Sequence, residues 1–581
     1  MGGGLILDVI SVSKANCRNC YRCVRHCPVK AIKVVGGQAE VVDSLCIYCG
    51  RCVIECPQNA KKVRNDLHAV KEFIYAGEKV IASIAPSYPA VFDVTSPQEM
   101  FSILKALGFY GAEETAVGAE MVSMEYQHLI KKGHKGPIIT TACPVVKNLV
   151  EKYYPGLIRN LAPVVSPMVA HARSLKQRYG LDIKVVFIGP CIAKKAEALD
   201  RSVLGDVDAV LTFQELADWI DEKASAVAGV DFGERENVLE PFIARSYPLP
   251  GGLLKTSSME GDLLSREVVV VDGIENCMEL LDALEMGNVS GRIFEMMACR
   301  GGCINGPSMP CDSSLYERRE RLLSFIENNQ QQQGYENIKA SAAGIDLRRS
   351  FEPKAFKAPR PTESEIREIL ASIGKTTPEK ELNCGACGYP SCRKKAEAVY
   401  HGMAEPDMCI PYMRSRAESL ANLIIDHTPN GIILVDSNLN IKEINRAAEK
   451  MFGVEKEQVQ GKPLFTVIDD RDFAWVLANK TNLQDKKVNY PRNSLTTLQT
   501  MCYIEEEDMV LAIIQDITEQ EKQRMELERV REETLEKAQE VINRQMRVAQ
   551  EIAGLLGETT AESKMLLLKL IELVKGREEE K

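Results

Sequence analysis

The chain has 581 residues, a formal net charge of −10, and charged residues of both signs interspersed along its length. That length exceeds what a single hydrophobic core supports, so several domains are expected. The charge leaves no electrostatic footprint for nucleic acid or anionic lipid. No apolar run reaches the ~20 residues needed to span a bilayer, and the opening "MGGGLILDVI" lacks the basic segment of a secretory signal. A cytoplasmic protein that binds no membrane and no nucleic acid is expected. Its 19 cysteines fall mostly in Cys-x-x-Cys runs, which in such a chain point to metal or cluster ligation rather than disulfides.

Residues 1–70 carry two runs of one spacing: Cys17, Cys20, Cys23 and Cys27 before Pro28, then Cys46, Cys49, Cys52 and Cys56 before Pro57. This is the spacing of bacterial two-cluster ferredoxins, in which the fourth cysteine of each run serves the other cluster. One 4Fe-4S cluster is thus expected on Cys17, Cys20, Cys23 and Cys56, the other on Cys46, Cys49, Cys52 and Cys27. A pair of structural zinc sites is the alternative.

Residues 71–350 alternate apolar runs with helical patterns, an α/β arrangement. Cys143 follows "GPIITTA", Cys191 follows "KVVFIGP", and Cys299 and Cys303 lie in "MMACRGGCINGP". The first two stand where a buried strand ends and a helix begins, the usual place for ligands in α/β sheets. Four cysteines from three loops suit one further cluster; a buried free thiol is the alternative for any one of them.

A polar, proline-rich linker is expected from Asn328 onward ("NNQQQQ", then "FEPKAFKAPRPTES"). Residues 355–415 then hold Cys384, Cys387, Cys392 and Cys409, with Gly385 and Gly388 letting backbone approach a cube. This set resembles the small single-cluster domain of anaerobic electron-transfer and corrinoid iron–sulfur proteins, with zinc as the alternative. Residues 416–520 read as strand, turn, strand and short helix through "GIILVDSNLNIKEINRAAEKMFG". They resemble a PAS α+β domain, with Asn445 in its Ile-Asn-Arg segment and Asp516, Ile517 and Thr518 at the exit. His427 reads there as a surface residue and Cys502 as core. Residues 521–581 are helical. Leu527, Val530, Thr534, Val541, Val548, Ile552 and Leu555 keep a 3-4 spacing, interrupted by Lys537 and Arg544. That pattern predicts a parallel coiled coil and a homodimer; a single amphipathic helix docked on the PAS sheet is the alternative. With no histidine after His427, output is expected to pass to a separate kinase or phosphatase.

The middle cysteines carry the most specific resemblance. Thr140-Thr141-Ala142-Cys143-Pro144, Gly189-Pro190-Cys191 with Lys194 and Glu197, and Glu295 to Cys303 resemble, in order and spacing, the three active-site signatures of FeFe-hydrogenases. Ile84 to Pro89 resembles that family's Ala-Pro-Ser pocket segment. The resemblance implies an H-cluster: a 4Fe-4S cube on Cys143, Cys191, Cys299 and Cys303, bridged through Cys303 to a diiron unit with carbonyl and cyanide ligands. It implies that Lys194 donates a hydrogen bond to a cyanide, that Met297 lies beside the diiron unit, and that Pro86 and Ser87 line the pocket.

Three departures stand out. Gly189 replaces a pocket methionine, Arg300 replaces a proline, and Ala142 replaces the cysteine that carries protons in catalytic members. The family's glutamate relay has no firm counterpart, although Glu120 and Glu125 lie upstream at fitting distances. A hydrogen or redox sensor with slow turnover is therefore expected, exchanging electrons with ferredoxin or another hydrogenase. A catalytic electron-bifurcating or ferredoxin-linked hydrogenase subunit is one alternative. An iron–sulfur scaffold without the diiron unit is another. Cys277 and Cys311 are unassigned and read as buried inert thiols, with a substitute proton carrier as the alternative for either.

Overall fold

A computed structural model describes residues 9–132, 136–224, 239–241, 243–258, 267–310, 313–329, 334–355, 359–556, 565–566 and 569. Cys311 lies outside the described residues, as does the side chain of Leu555. The chain divides into two compact units, 1–413 and 414–581.

The first unit is α/β. Strands Gly111–Glu114, Val80–Ile84, Lys184–Gly189 and Ala209–Thr212 form a four-stranded parallel sheet in that order. Val268–Asp272, Ile293–Met297 and Ile138–Ile139 form a second parallel sheet. Val80–Ile84 is buried at every position, as expected of a strand covered by helices on both faces. The four-stranded sheet carries helix Ala116–Lys131, crossed closely by Pro167–Tyr179. Gly118 permits that crossing, since a Cβ there would sit 2.3 Å from the Pro167 carbonyl oxygen and 2.7 Å from His171 Cβ.

The ferredoxin-like segment adds two antiparallel strand pairs, Ile10–Val12 with Lys61–Val63 and Ile32–Val35 with Gln38–Val41. The module around Cys384 to Cys409 rests against the second pair. Val34 N donates to Met403 O at 3.0 Å, and the Glu405 carboxylate accepts from the amides of Gly36 and Gly37.

Between the two stretches read as linker, the chain packs on the core: helix Gly334–Ala342 buries Ile338, and Leu347 is buried beyond it, its carbonyl accepting from Val165 N at 2.9 Å. Apolar residues at these spacings pull the segment onto the core, and Arg349 pairs with Glu197 at 2.7 Å.

The second unit holds an antiparallel sheet ordered Ile441–Ile444, Gly431–Val435, Met509–Asp516, Leu495–Ile504, Leu483–Tyr490. Asn445 is buried and fully used. Its oxygen accepts from Ile432 N and caps helix Arg446–Phe452 through Ala448 N, while its amide donates to Ile425 O and Asn430 O. Thr518 Oγ1 accepts from Thr496 N at 2.9 Å and fastens the start of helix Thr518–Leu556 to the sheet. Along that helix Leu527, Val530, Val541, Val548 and Ile552 are exposed in the single chain. His427 is exposed and Cys502 partly buried. Among the described residues no helix is long and apolar enough to cross a membrane.

Candidate functional site

The carboxyl ends of five parallel strands, drawn from both sheets of the first unit, open on one cavity of about 120 Å³. Strand Val80–Ile84 delivers Pro86 and Ser87, and Gly111–Glu114 delivers Thr115. Lys184–Gly189 delivers Cys191, Ile138–Ile139 delivers Ala142 and Cys143, and Ile293–Met297 delivers Met297, Cys299 and Cys303. Lys194 reaches the same wall from the helix that follows Cys191. The residues named from the three signatures and the pocket segment are thus gathered in one place.

The wall is apolar, and that decides the chemistry of its thiols. Burial pushes the Cys191 thiol up to about 12 and raises Cys299 and Cys303 as well. Buried thiols of this kind need a nearby cation to become ligating thiolates, and a bound metal supplies it. Two polar groups fit an anionic or polar guest. Ser87 Oγ is buried with no hydrogen-bond partner among the described residues. Lys194 Nζ donates to Glu197 Oε2 at 2.7 Å, and an ammonium has three hydrogens to give. Glu197 is itself braced by Arg349 and by Ser166. Burial pushes its carboxyl up, but Lys194 and Arg349 outweigh that and hold it below its ordinary value.

Two departures from the family pattern have visible causes or consequences. A Cβ at Gly189 would lie 2.7 Å from ring atoms of Phe187, so the Phe187 ring occupies the space a methionine would take and lines the cavity instead. Arg300 is exposed and does not line the cavity. Neither Glu120 nor Glu125 lines it. Glu120 is buried and accepts from the amides of Ile243 and Ala244. Cys277 is buried beside the site, its thiol 3.5 Å from the Met297 carbonyl oxygen.

Glu295 was not singled out from the sequence, yet it is the one carboxyl on the cavity wall among the described residues. Its oxygens accept from Gly251 N at 2.9 Å and Leu254 N at 3.1 Å. Burial outweighs those bonds and raises its pKa to about 7. The signal was a glutamate inside an otherwise apolar strand, "IFEMM".

The remaining twelve named cysteines wall three smaller cavities, each of about 20 Å³. One is bounded by Cys17, Cys20, Cys23 and Cys56, and the next by Cys27, Cys46, Cys49 and Cys52. The third is bounded by Cys384, Cys387, Cys392 and Cys409. The exchange of the fourth cysteine between the two runs is therefore present in the geometry. Lys61, beside the first cavity, is buried with an ammonium that has no hydrogen-bond partner among the described residues. An anionic cluster would neutralise that charge. Among the described residues no three His, Cys, Asp or Glu side chains converge closely enough for a single metal ion. The thiols stand around a space, which suits a cube better than a zinc ion with bonds of ~2.3 Å.

Comparison with known proteins agrees with this division. Residues 78–307 match the family model "Iron only hydrogenase large subunit, C-terminal domain". Residues 9–57 match a 4Fe-4S dicluster domain, 381–411 an Fe-S cluster domain and 420–517 the PAS fold. The chain is 29% identical to Iron hydrogenase 1 of Clostridium pasteurianum over 52% of its own length and 65% of that protein. It is 27% identical to the periplasmic [Fe] hydrogenase large subunit of Nitratidesulfovibrio vulgaris, over 55% of this chain and 90% of that one. A more distant relative, cytosolic Fe-S cluster assembly factor NAR1 of Yarrowia lipolytica, is 22% identical over 39% of this chain and 62% of that one. The match thus spans less than two thirds of the clostridial enzyme.

Glu295 supplies a pH test. Its folded-state pKa, about 7, lies above its ordinary value of 4.5. Its contribution to stability is therefore fully present below the ordinary value and lost as pH rises through about 7. In metal-free protein, the urea midpoint should fall over that interval. Glu295→Gln, which mimics the neutral acid, should flatten the fall; an unchanged slope would show that another group causes it.

Proposed function

We propose that this chain, a hydrogenase-like iron–sulfur protein with a PAS domain, is a cytoplasmic hydrogen or redox sensor that turns hydrogen over slowly. One observation carries the reading. The cavity wall has the four thiols, Lys194, Met297 and Ser87, but it presents the methyl group of Ala142 where catalytic relatives have a proton-carrying cysteine. When bound, the H-cluster on Cys143, Cys191, Cys299 and Cys303 supplies the metal centre at which hydrogen is split or formed.

The chain's own residues do the rest. Lys194, fixed by Glu197, offers charge-assisted hydrogen bonds to polar metal ligands, and the unpartnered Ser87 hydroxyl offers another. Met297 presents a soft, polarisable side chain. A thiol at position 142, with a reference pKa of ~8.5, would give and retake a proton near neutrality; a methyl group cannot. The ferredoxin cysteines and the set Cys384, Cys387, Cys392 and Cys409 hold three further 4Fe-4S clusters in this reading. They link the site to a ferredoxin or another hydrogenase outside.

The PAS domain and helix Thr518–Leu556 carry the output, as a homodimer, to a separate kinase or phosphatase. To count as a switch, reduction must shift two states of that element by a few kcal/mol. A catalytic hydrogenase subunit is the second reading, favoured by the 27% identity to a periplasmic hydrogenase over 90% of its length. An assembly scaffold is the third, favoured by the NAR1 relative.

Restoring the thiol separates these readings. Ala142→Cys adds one sulfur atom at the cavity wall, and general acid–base help typically contributes ~10²–10⁴-fold. Hydrogen turnover should rise at least tenfold, by this estimate, with the gain in kcat and not in hydrogen affinity. An unchanged rate at full cofactor loading would mean that position 142 does not limit proton transfer. Wild-type turnover already matching fast hydrogenases would favour the catalytic subunit.

The dimer is testable separately. Val541→Pro should cost ~3 kcal/mol or more of helix stability and convert a sedimenting dimer of the full chain to monomer. Monomeric wild-type protein would remove the coiled coil from the account.

A further inference from the structure

Without a thiol at position 142, the cavity needs another outlet for protons. Glu295 does not provide one, because its oxygens are bonded to backbone amides of Gly251 and Leu254, which cannot pass a proton onward. A second polar line does leave the cavity. Thr115 is on the wall and buried. Its hydroxyl lies 2.8 Å from Ser83 Oγ on the adjacent strand. Ser83 Oγ lies 2.7 Å from His171 Nδ1, and His171 Nε2 lies 3.4 Å from Glu113 Oε2. Glu113 accepts from Arg178 and, at 3.0 Å, from the hydroxyl of Tyr179, which is 39% exposed. Ser83, Thr115, His171 and Glu113 are themselves almost wholly buried. Thr115 also stands at the N-cap position of helix Ala116–Lys131, yet its hydroxyl makes no capping bond and turns to Ser83 instead.

The direction of this line follows from who can donate. Burial pushes Glu113 up, but His171 and Arg178 overcome that and hold its carboxyl well below its ordinary value. An ionised carboxylate only accepts, so His171 must carry its hydrogen on Nε2. Burial also disfavours the charged ring, which leaves Nδ1 bare as an acceptor. Ser83 must then donate to Nδ1, and its oxygen is free to accept from Thr115. From Thr115 to Glu113 each hydrogen bond points away from the cavity, and Glu113 then accepts from Arg178 and Tyr179 at the outer end.

We propose that Thr115, Ser83, His171 and Glu113 form a proton exit from the cavity, standing in for the absent thiol. The inference rests on reading the cavity as a hydrogen-handling site. In one passage a proton binds the Thr115 oxygen while the Thr115 hydrogen moves to Ser83. The Ser83 hydrogen moves to His171 Nδ1, and the Nε2 hydrogen moves to Glu113, which releases it to water near Tyr179. One proton enters, one leaves, and no electron moves along the line. Afterwards both hydroxyls and the ring must return to their starting orientations.

Two measurements test this. Full-length protein labelled with nitrogen-15 in histidine, with the His171 signals assigned by their loss in His171→Gln, should show a protonated Nε2 and a bare Nδ1 at neutral pH. The opposite tautomer would reverse the direction and overturn the proposal. In cofactor-loaded protein, Thr115→Val and, as a second variant, Ser83→Ala should slow exchange of deuterium gas with solvent protons at least tenfold, given the ~10²–10⁴ typical of positioned proton transfer. Thr115→Ser should keep the wild-type rate. Unchanged exchange in both Thr115→Val and Ser83→Ala would overturn the exit, whereas wild-type protein that exchanges nothing would overturn the hydrogen reading itself.

Discussion

The first unit depends on one constraint: four thiols must meet in an apolar cavity, where burial raises those of Cys191, Cys299 and Cys303. Three strand ends from two parallel sheets satisfy it, each delivering cysteine at its carboxyl terminus. The sheets in turn require buried strands and close helix crossings, which Gly118 allows. Lys194, Glu197 and Arg349 then form an ionic brace behind the wall. Segment 334–349 joins that brace and is drawn onto the core. Thus the fold and the chemistry of the cavity are solutions to the same problem.

Legibility followed the spacing of the residues concerned. The ferredoxin runs and the set from Cys384 to Cys409 are local patterns, so short chain geometry already brings their thiols around common spaces. The set at Cys143, Cys191, Cys299 and Cys303 is scattered, and only strand-end logic joined with three family signatures tied it together. Asn445 was readable because its segment is diagnostic, although its four hydrogen bonds were not. Glu295 was missed because its burial depends on the loop and helix near Gly251, some forty residues earlier in the chain. His171 was missed because a lone histidine inside a helix has no sequence context; its partners, Ser83 and Glu113, come from two strands. Phe187 filling the space at Gly189 is likewise a fact of packing.

The two ends of the molecule are built to different rules. Around the cavity, polar groups are buried and few, which suits a site that must hold a reactive group in one geometry. The helix Thr518–Leu556 instead leaves Val530, Val541 and Val548 exposed, a surface that makes sense when a second copy covers it. In the proposed account the first unit registers hydrogen and the second reports it. Slow turnover is then useful, because a sensor gains nothing from consuming what it measures.

The central claim is that the cavity walled by Cys143, Cys191, Cys299 and Cys303 holds a diiron group and not merely a cube. Infrared spectroscopy of the anaerobically matured full-length protein addresses it directly, since metal-bound carbonyl and cyanide absorb where protein does not. The account predicts both sets of bands, and their loss when Cys303 is replaced by serine. Protein with its cubane clusters in place but no such bands would contradict it and leave the iron–sulfur scaffold as the reading.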